Sequence, residues 1–393
     1  MNIFSDRMSA LQPSVIREIF KYMSDPEMIS FAAGNPAPEA FPVETVSSIT
    51  ANILKNDPIP ALQYSISEGY APLRNWVKQD LASKGLFKEG EDDVIITAGA
   101  QQVMEVTTKL ICNEGETIIC EAPSFIGSLN AFRSYKAKLV GVQMDDEGID
   151  LEKLEAALIA NPKTAFIYLI PNFQNPTGRC TSLERRKAVL ELAEKYKTLV
   201  VEDNPYGDLR FAGPDIPTLK ELDVNNRVIY AGSFSKTLAP GLRVGFMCAS
   251  ASLVQKAVVC IQASTVHTSI LPQMITHKFV TETNYDEHLE KLQQLYKEKC
   301  KHMLDCLQFS MPVSIDFTHP DGGLFIWGTL PKGDMMDFCK KAVENKVAVV
   351  PGNAFLVNEK DPCLSFRLNF SFPSDSQIEK GVEILSKVAK TMY

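Results

Sequence analysis

The feature that most constrains this chain is a recurrence of short, unbroken apolar runs, each ending in a polar turn. Val94-Ile-Ile-Thr97, Thr117-Ile-Ile-Cys-Glu121, Leu199-Val-Val-Glu-Asp203, Val228-Ile-Tyr-Ala231, Val244-Gly-Phe-Met247 and the run 165–170 are all of this kind. Strands that are apolar on successive residues are buried on both faces, and the amphipathic stretches between them supply covering helices. One helical stretch is expected from Gln101. Another is expected after a cap at Thr181 or Ser182, with Glu184 close behind. The fold class is therefore α/β, with a mostly parallel sheet covered on both sides.

A chain of 393 residues implies roughly two domains at ~100–200 residues each. A long charged helix is expected from Asn284 to about Leu307, bridging into the second domain. Strand-like runs at 323–328, 347–350 and 364–370, then a closing helix over 376–390, describe a smaller α+β domain. At the other end, 14–23 has helical spacing and Gly34-Asn-Pro-Ala-Pro38 breaks the chain. The boundaries drawn from this pattern are 42–280 for the large domain, and 1–41 with 281–393 for the small one.

A net charge of −8 gives no basic footprint for nucleic acid or anionic lipid. No apolar run reaches the ~18 residues of a membrane span, and residues 1–14 lack the apolar core of a secretory signal. A cytoplasmic location is expected. Nine cysteines without a C-x-x-C pair read as reduced thiols. Cys300, His302 and Cys306 are spaced too loosely for a zinc motif and are read as part of a helix, so no metal is expected.

Several strand ends carry chemistry. In Ala231-Gly-Ser-Phe-Ser-Lys-Thr-Leu-Ala-Pro-Gly-Leu-Arg243, Lys236 follows a buried strand among Ser233, Ser235 and Thr237, with Arg243 one loop further on. Hydroxyls and a guanidinium gathered at a strand end suit a phosphate. A nucleotide P-loop also ends in Lys-Thr but needs glycine before the lysine, where this chain has Ser235. A solvated surface lysine is the plainer alternative. Asp203 closes the strand 199–203, where parallel sheets bind ligands. A carboxylate there can hold a pyridinium nitrogen protonated, or simply cap a helix. Tyr206 follows three residues later. Asn175-Pro-Thr-Gly178 closes another strand, as a ligand contact or as an ordinary turn. The turn at Ala100 and Gln101 opens a helix whose free N–H groups can bind an anion.

Taken together, Asn175-Pro-Thr-Gly178, Glu202-Asp-Asn-Pro-Tyr-Gly207 and Ser233-Phe-Ser-Lys-Thr-Leu-Ala-Pro-Gly-Leu-Arg243 resemble fold-type I, class I/II aminotransferases dependent on pyridoxal 5′-phosphate. The resemblance spans nearly the whole chain and is greatest to the kynurenine/2-aminoadipate, multi-substrate branch. It implies a seven-stranded, mostly parallel large-domain sheet and a smaller α+β domain. It also implies that Lys236 carries the cofactor covalently, Asp203 pairs with the ring nitrogen, and Asn175 and Tyr206 reach the ring hydroxyl oxygen. Ser233, Ser235, Arg243 and the Ala100–Gln101 turn would hold the phosphate. Phe125 would stack on the ring where a tyrosine is usual, and Ala100 stands where a serine is common. Tyr64 would reach the phosphate of a neighbouring subunit, implying a homodimer. Arg367 would grip the substrate α-carboxylate, and the Gly34 backbone would line the pocket. Arg17 would contact the substrate side chain or sit as a helix-surface arginine.

The implied reaction is ping-pong transfer of an amino group from an L-amino acid to a 2-oxo acid. The alternatives are another reaction of the same cofactor, such as a β-lyase, and an effector-binding module of a transcription regulator. About forty residues precede the aminotransferase-like core, too few for a DNA-binding domain.

Overall fold

The computed structural model describes residues 3–9, 11 and 25–392. The helical spacing at 14–23, and Arg17 within it, lie outside the described residues. Strands β1 (Asp92–Thr97), β2 (Thr117–Ala122), β3 (Lys138–Asp145), β4 (Gly148–Ile149), β5 (Thr164–Leu169), β6 (Leu199–Asp203), β7 (Val228–Ser233) and β8 (Gly245–Ser250) form one sheet. Their order is β1-β8-β7-β6-β5-β2-β3-β4. The block from β7 to β3 is parallel. β8 runs antiparallel to both of its neighbours, and β4 runs antiparallel to β3. The expected seven strands are thus joined by the two-residue return at Gly148–Ile149. An apolar run betrays a strand's burial but not its direction, so the reversed β8 had no sequence signal.

Consecutive residues Phe166, Ile167 and Tyr168 are all fully buried, which places β5 under helices on both faces. Ser182 caps the helix Leu183–Lys195, its side chain accepting from the Arg185 N–H. The direction of chain travel across the sheet reverses between β5 and β2. That reversal opens a crevice at the carboxyl ends of the strands, and the turns after β2, β5, β6 and β7 converge there.

The helix Tyr285–Ser310 is capped by Asn284, whose side chain accepts from the Glu287 N–H. Leu292, Tyr296, Met303 and Leu307 on this helix join Ile378, Val382 and Leu385 of the closing helix Asp375–Met392 in one core. Beyond it, β9 (Asp316–Phe317), β10 (Phe325–Thr329), β11 (Val350–Pro351) and β12 (Ser365–Asn369) form an antiparallel sheet ordered β9-β10-β12-β11. The run 347–350 is not one strand. Val347–Ala348 pairs with Ile29–Ser30, whereas Val350–Pro351 pairs with β12. The N-terminal segment is thereby stitched to the small sheet, and its next residues pass into the crevice. Among the described residues no helix is long and apolar enough to cross a membrane.

Candidate active site

A cavity of about 460 Å³ occupies the crevice, lined from both sheets. Gly34, Ala100, Gln101, Phe125, Asn175, Asp203, Tyr206, Ser233, Ser235, Lys236, Arg243 and Arg367 all line it. These twelve positions, spread from Gly34 to Arg367, therefore meet at one place. Tyr64 does not line it; its side chain is 81% exposed and meets His267 edge-on.

Lys236 enters from the turn after β7 and donates from Nζ to the Gly34 carbonyl at 2.7 Å. Burial, followed by the positive charges of Arg367 and Arg243, lowers its pKa to about 8. Asp203, at the end of β6, accepts at Oδ2 from the Tyr168 hydroxyl at 2.7 Å. Its other oxygen, Oδ1, is buried and finds no hydrogen-bond partner among the described residues. Burial pushes the carboxyl up to about 6, and the Tyr168 bond pulls against it. A buried carboxylate oxygen without a donor is costly, so this atom marks where a cationic N–H would sit.

Asn175 couples two sides of the cavity. Its Nδ2 donates to the Tyr206 hydroxyl at 3.5 Å and its Oδ1 accepts from Arg367 Nη1 at 2.8 Å. Arg367, on β12, is 4% exposed. It also donates from Nη2 to the Ala32 carbonyl at 2.6 Å, and lies over the rings of Phe325 and Phe355. The aromatic clamp and the two acceptors fix its plane, while Nε has no partner among the described residues. Burial lowers its pKa to about 10, so it stays cationic at neutral pH.

The opposite end of the cavity is built from donors. The helix Ala100–Ile111 starts at its edge, presenting N–H groups of the first turn. The Ser233 hydroxyl accepts from the Ser235 N–H at 3.1 Å. Arg243 donates to the Ala98 carbonyl at 2.8 Å and lies 3.5 Å from the Ser235 hydroxyl. Its own backbone is left-handed, at φ 53°, a conformation uncommon among non-glycine residues. Gly99 lies beneath the guanidinium at φ 76°, where a Cβ would come within 2.4 Å of Arg243 Nη2. Phe125 leads into the helix Ile126–Ser134 and presents its ring to the cavity.

Three contributors escaped sequence reasoning. Tyr168 lies inside an apolar run and reads as core. The Ala32 carbonyl is a backbone atom of an irregular segment. Glu121, fully buried beside the site, accepts at Oε2 from the Ile170 N–H at 3.1 Å and from Gln174 at 3.3 Å, and burial pushes it up to about 8. Its signal was present in the sequence as an acidic residue closing an apolar strand, as at Asp203.

Residues 26–385 match the family described as aminotransferase class I and II. The chain belongs to that family. It is an aminotransferase, and its cofactor is pyridoxal 5′-phosphate. It is 37% identical over 392 residues to aromatic-amino-acid aminotransferase 1 of Thermococcus litoralis, covering 98% of this chain and 94% of that one. It is 38% identical over 391 residues to a 2-aminoadipate transaminase of Thermus thermophilus, covering 98% and 96%. The crystal structure of Pyrococcus horikoshii kynurenine aminotransferase, in complex with PMP, superposes with a TM-score of 0.95 at 34% identity over 99% of this chain and 97% of that one. The residues present fit the cofactor. Asp203, with a buried carboxylate oxygen that has no donor among the described residues, lines the same cavity as Lys236, together with the hydroxyls of Ser233 and Ser235, the Ala100–Gln101 turn and the Arg243 guanidinium.

Proposed function

We propose that this chain moves the amino group of L-amino acids to a 2-oxo acid such as 2-oxoglutarate by a ping-pong route. The proposed donors are aromatic and 2-aminoadipate-like amino acids within a broad range, since relatives named for both classes match over 94% and 96% of their length. Pyridoxal phosphate, when bound, supplies an electron sink for the charge that develops at substrate Cα.

The protein's part is holding, orienting and moving a proton. Lys236 holds the cofactor and, once released, takes the proton from substrate Cα at Nζ. A lysine lowered to about 8 is partly neutral near physiological pH, as a general base must be. Asp203 Oδ1 pairs with the ring nitrogen, and Asn175 and Tyr206 donate to the ring hydroxyl oxygen. Ser233, Ser235, Arg243 and the N–H groups at Ala100 and Gln101 hold the phosphate. Phe125 covers the ring without the hydroxyl of a tyrosine, and Ala100 withholds one hydroxyl from the phosphate. Arg367 presents a fixed fork to the α-carboxylate, the Gly34 backbone borders the substrate, and contact with the substrate side chain is assigned to Arg17.

We take 42–280 as the cofactor-binding domain and 1–41 with 281–393 as the small domain that carries Arg367. Tyr64, turned outward in its own chain, is assigned to the phosphate site of a second copy, so the active form is a cytoplasmic homodimer. The observation that carries this reading is the open, buried oxygen of Asp203 in the cavity that Lys236 enters. Holoenzyme mixed with each amino acid in turn tests it. Aromatic and dicarboxylic donors are expected to convert the absorbance of the carbonyl form of the cofactor into that of the amine form. If these donors leave the spectrum unchanged while another class converts it, the donor assignment fails; if no amino acid converts it, the reaction assignment fails.

A further inference from the structure

We propose that Tyr168 is a positioning residue that grips Asp203 by one oxygen so that the other is presented to the cavity. The proposal rests on the reading of Asp203 as the partner of the cofactor's ring nitrogen. Ser128 Oγ donates to the Tyr168 hydroxyl at 2.8 Å, and that hydroxyl donates to Asp203 Oδ2 at 2.7 Å. All three side chains are buried, Tyr168 completely. The chain of donors runs one way, and a hydroxyl that accepts one hydrogen bond donates the next more strongly. The Tyr168 ring packs edge-on against Phe132 at 5.2 Å, which restrains the hydroxyl. With Oδ2 held, the carboxylate plane is set, and Oδ1 is left for a ligand.

Tyr168 is the one side chain among the described residues that hydrogen-bonds Asp203. Glu121 from β2 and Tyr206 from the turn after β6 also feel its charge, and Lys236 shares the cavity. Without the tyrosine hydroxyl, the cofactor-free chain would bury a carboxylate with neither oxygen satisfied. Such a group takes up a proton at higher pH.

Pyridoxamine phosphate is a suitable probe, because it occupies the site without a bond to Lys236. Its protonated ring nitrogen pairs with ionised Asp203, so binding to the cofactor-free full-length chain should weaken as pH falls through the Asp203 transition. In Tyr168→Phe that fall is expected about one pH unit higher, with roughly tenfold weaker binding below the wild-type midpoint. Groups that titrate alike in both proteins cancel in the difference. Ser128→Ala should move the midpoint in the same direction by less. A Tyr168→Phe protein that loses thermal stability yet keeps the wild-type midpoint overturns the proposal. If that variant does not fold, an unmoved midpoint in Ser128→Ala overturns it. An Asp203→Asn protein that keeps the wild-type pH dependence overturns the underlying reading of Asp203 instead.

Discussion

Glu202 and Asp203 are adjacent carboxylates at the end of one strand, and they face opposite sides of the sheet. Both are buried, and burial raises both, Glu202 to about 7 and Asp203 to about 6. Their hydrogen bonding separates them. Glu202 accepts at both oxygens from backbone N–H groups, Leu219 at 3.0 Å and Lys220 at 2.8 Å, and so closes the start of the short helix Leu219–Leu222. Asp203 has one oxygen held and one buried without a donor among the described residues. Burial and a raised pKa are thus common to both carboxyls. The unsatisfied atom is what distinguishes them.

On the cavity side, loss of function should exceed loss of stability. Lys236→Ala is expected to abolish transamination and the covalently held cofactor while the fold persists, because the lysine's burial is a cost. Turnover near the wild-type rate would remove Lys236 from the mechanism. Asp203→Asn should retain the cofactor but slow single-turnover transfer by several powers of ten, since the ring nitrogen can then lose its proton. Unchanged stopped-flow rates would contradict the open-oxygen reading.

Arg367→Ala should lower kcat/KM for every amino acid and 2-oxo acid alike, by roughly 3–5 kcal/mol for a desolvated pair. Arg17→Ala should act on dicarboxylic substrates alone. Comparing glutamate with an aromatic donor in both variants separates the two arginines. An Arg367 variant that spares either donor, or an Arg17 variant that lowers both equally, breaks the assignment.

On the opposite side of the strand the expectation reverses. Glu202→Gln should leave kcat/KM near wild type and cost about 1–3 kcal/mol of stability, because the amide NH2 replaces one of the two oxygens that accept from the Leu219 and Lys220 N–H groups and leaves that buried donor without a partner. The pH dependence has a definite sign. With its folded pKa raised to about 7, Glu202 favours folding most strongly below the ordinary carboxylate range, and that contribution is lost as pH rises toward 7. Glu202→Gln should therefore flatten the stability profile of the cofactor-free chain between about pH 4.5 and 7. A loss of activity without a change in thermal unfolding would show that the two faces are not functionally distinct.

The same physics explains what could be read from residues alone. Asp203, Asn175 and Lys236 were legible because each interrupts or follows an apolar run at a strand end, where a polar group needs a reason to be. The cap at Ser182 was legible from local chemistry. Tyr168 was not, since its hydroxyl is hidden within an apolar strand and its partners lie 35 and 40 residues away. The aromatic clamp on Arg367 pairs β12 with Phe325 and Phe355, contacts that exist only after the small sheet has formed. The division of 347–350 between two partners depends on where the N-terminal segment lies, which no local pattern encodes. Tyr64 points away from its own cavity, so only the resemblance gave it a role.

Borohydride reduction followed by peptide mapping decides whether the cavity between the two sheets carries the cofactor on Lys236. Reduction fixes the carbon–nitrogen linkage between cofactor and protein as a stable mass. One phosphopyridoxyl group per chain is expected, on the peptide containing Ser233-Phe-Ser-Lys236. The same mass on a different lysine peptide, with Lys236 unmodified in protein that retains activity before reduction, would contradict it.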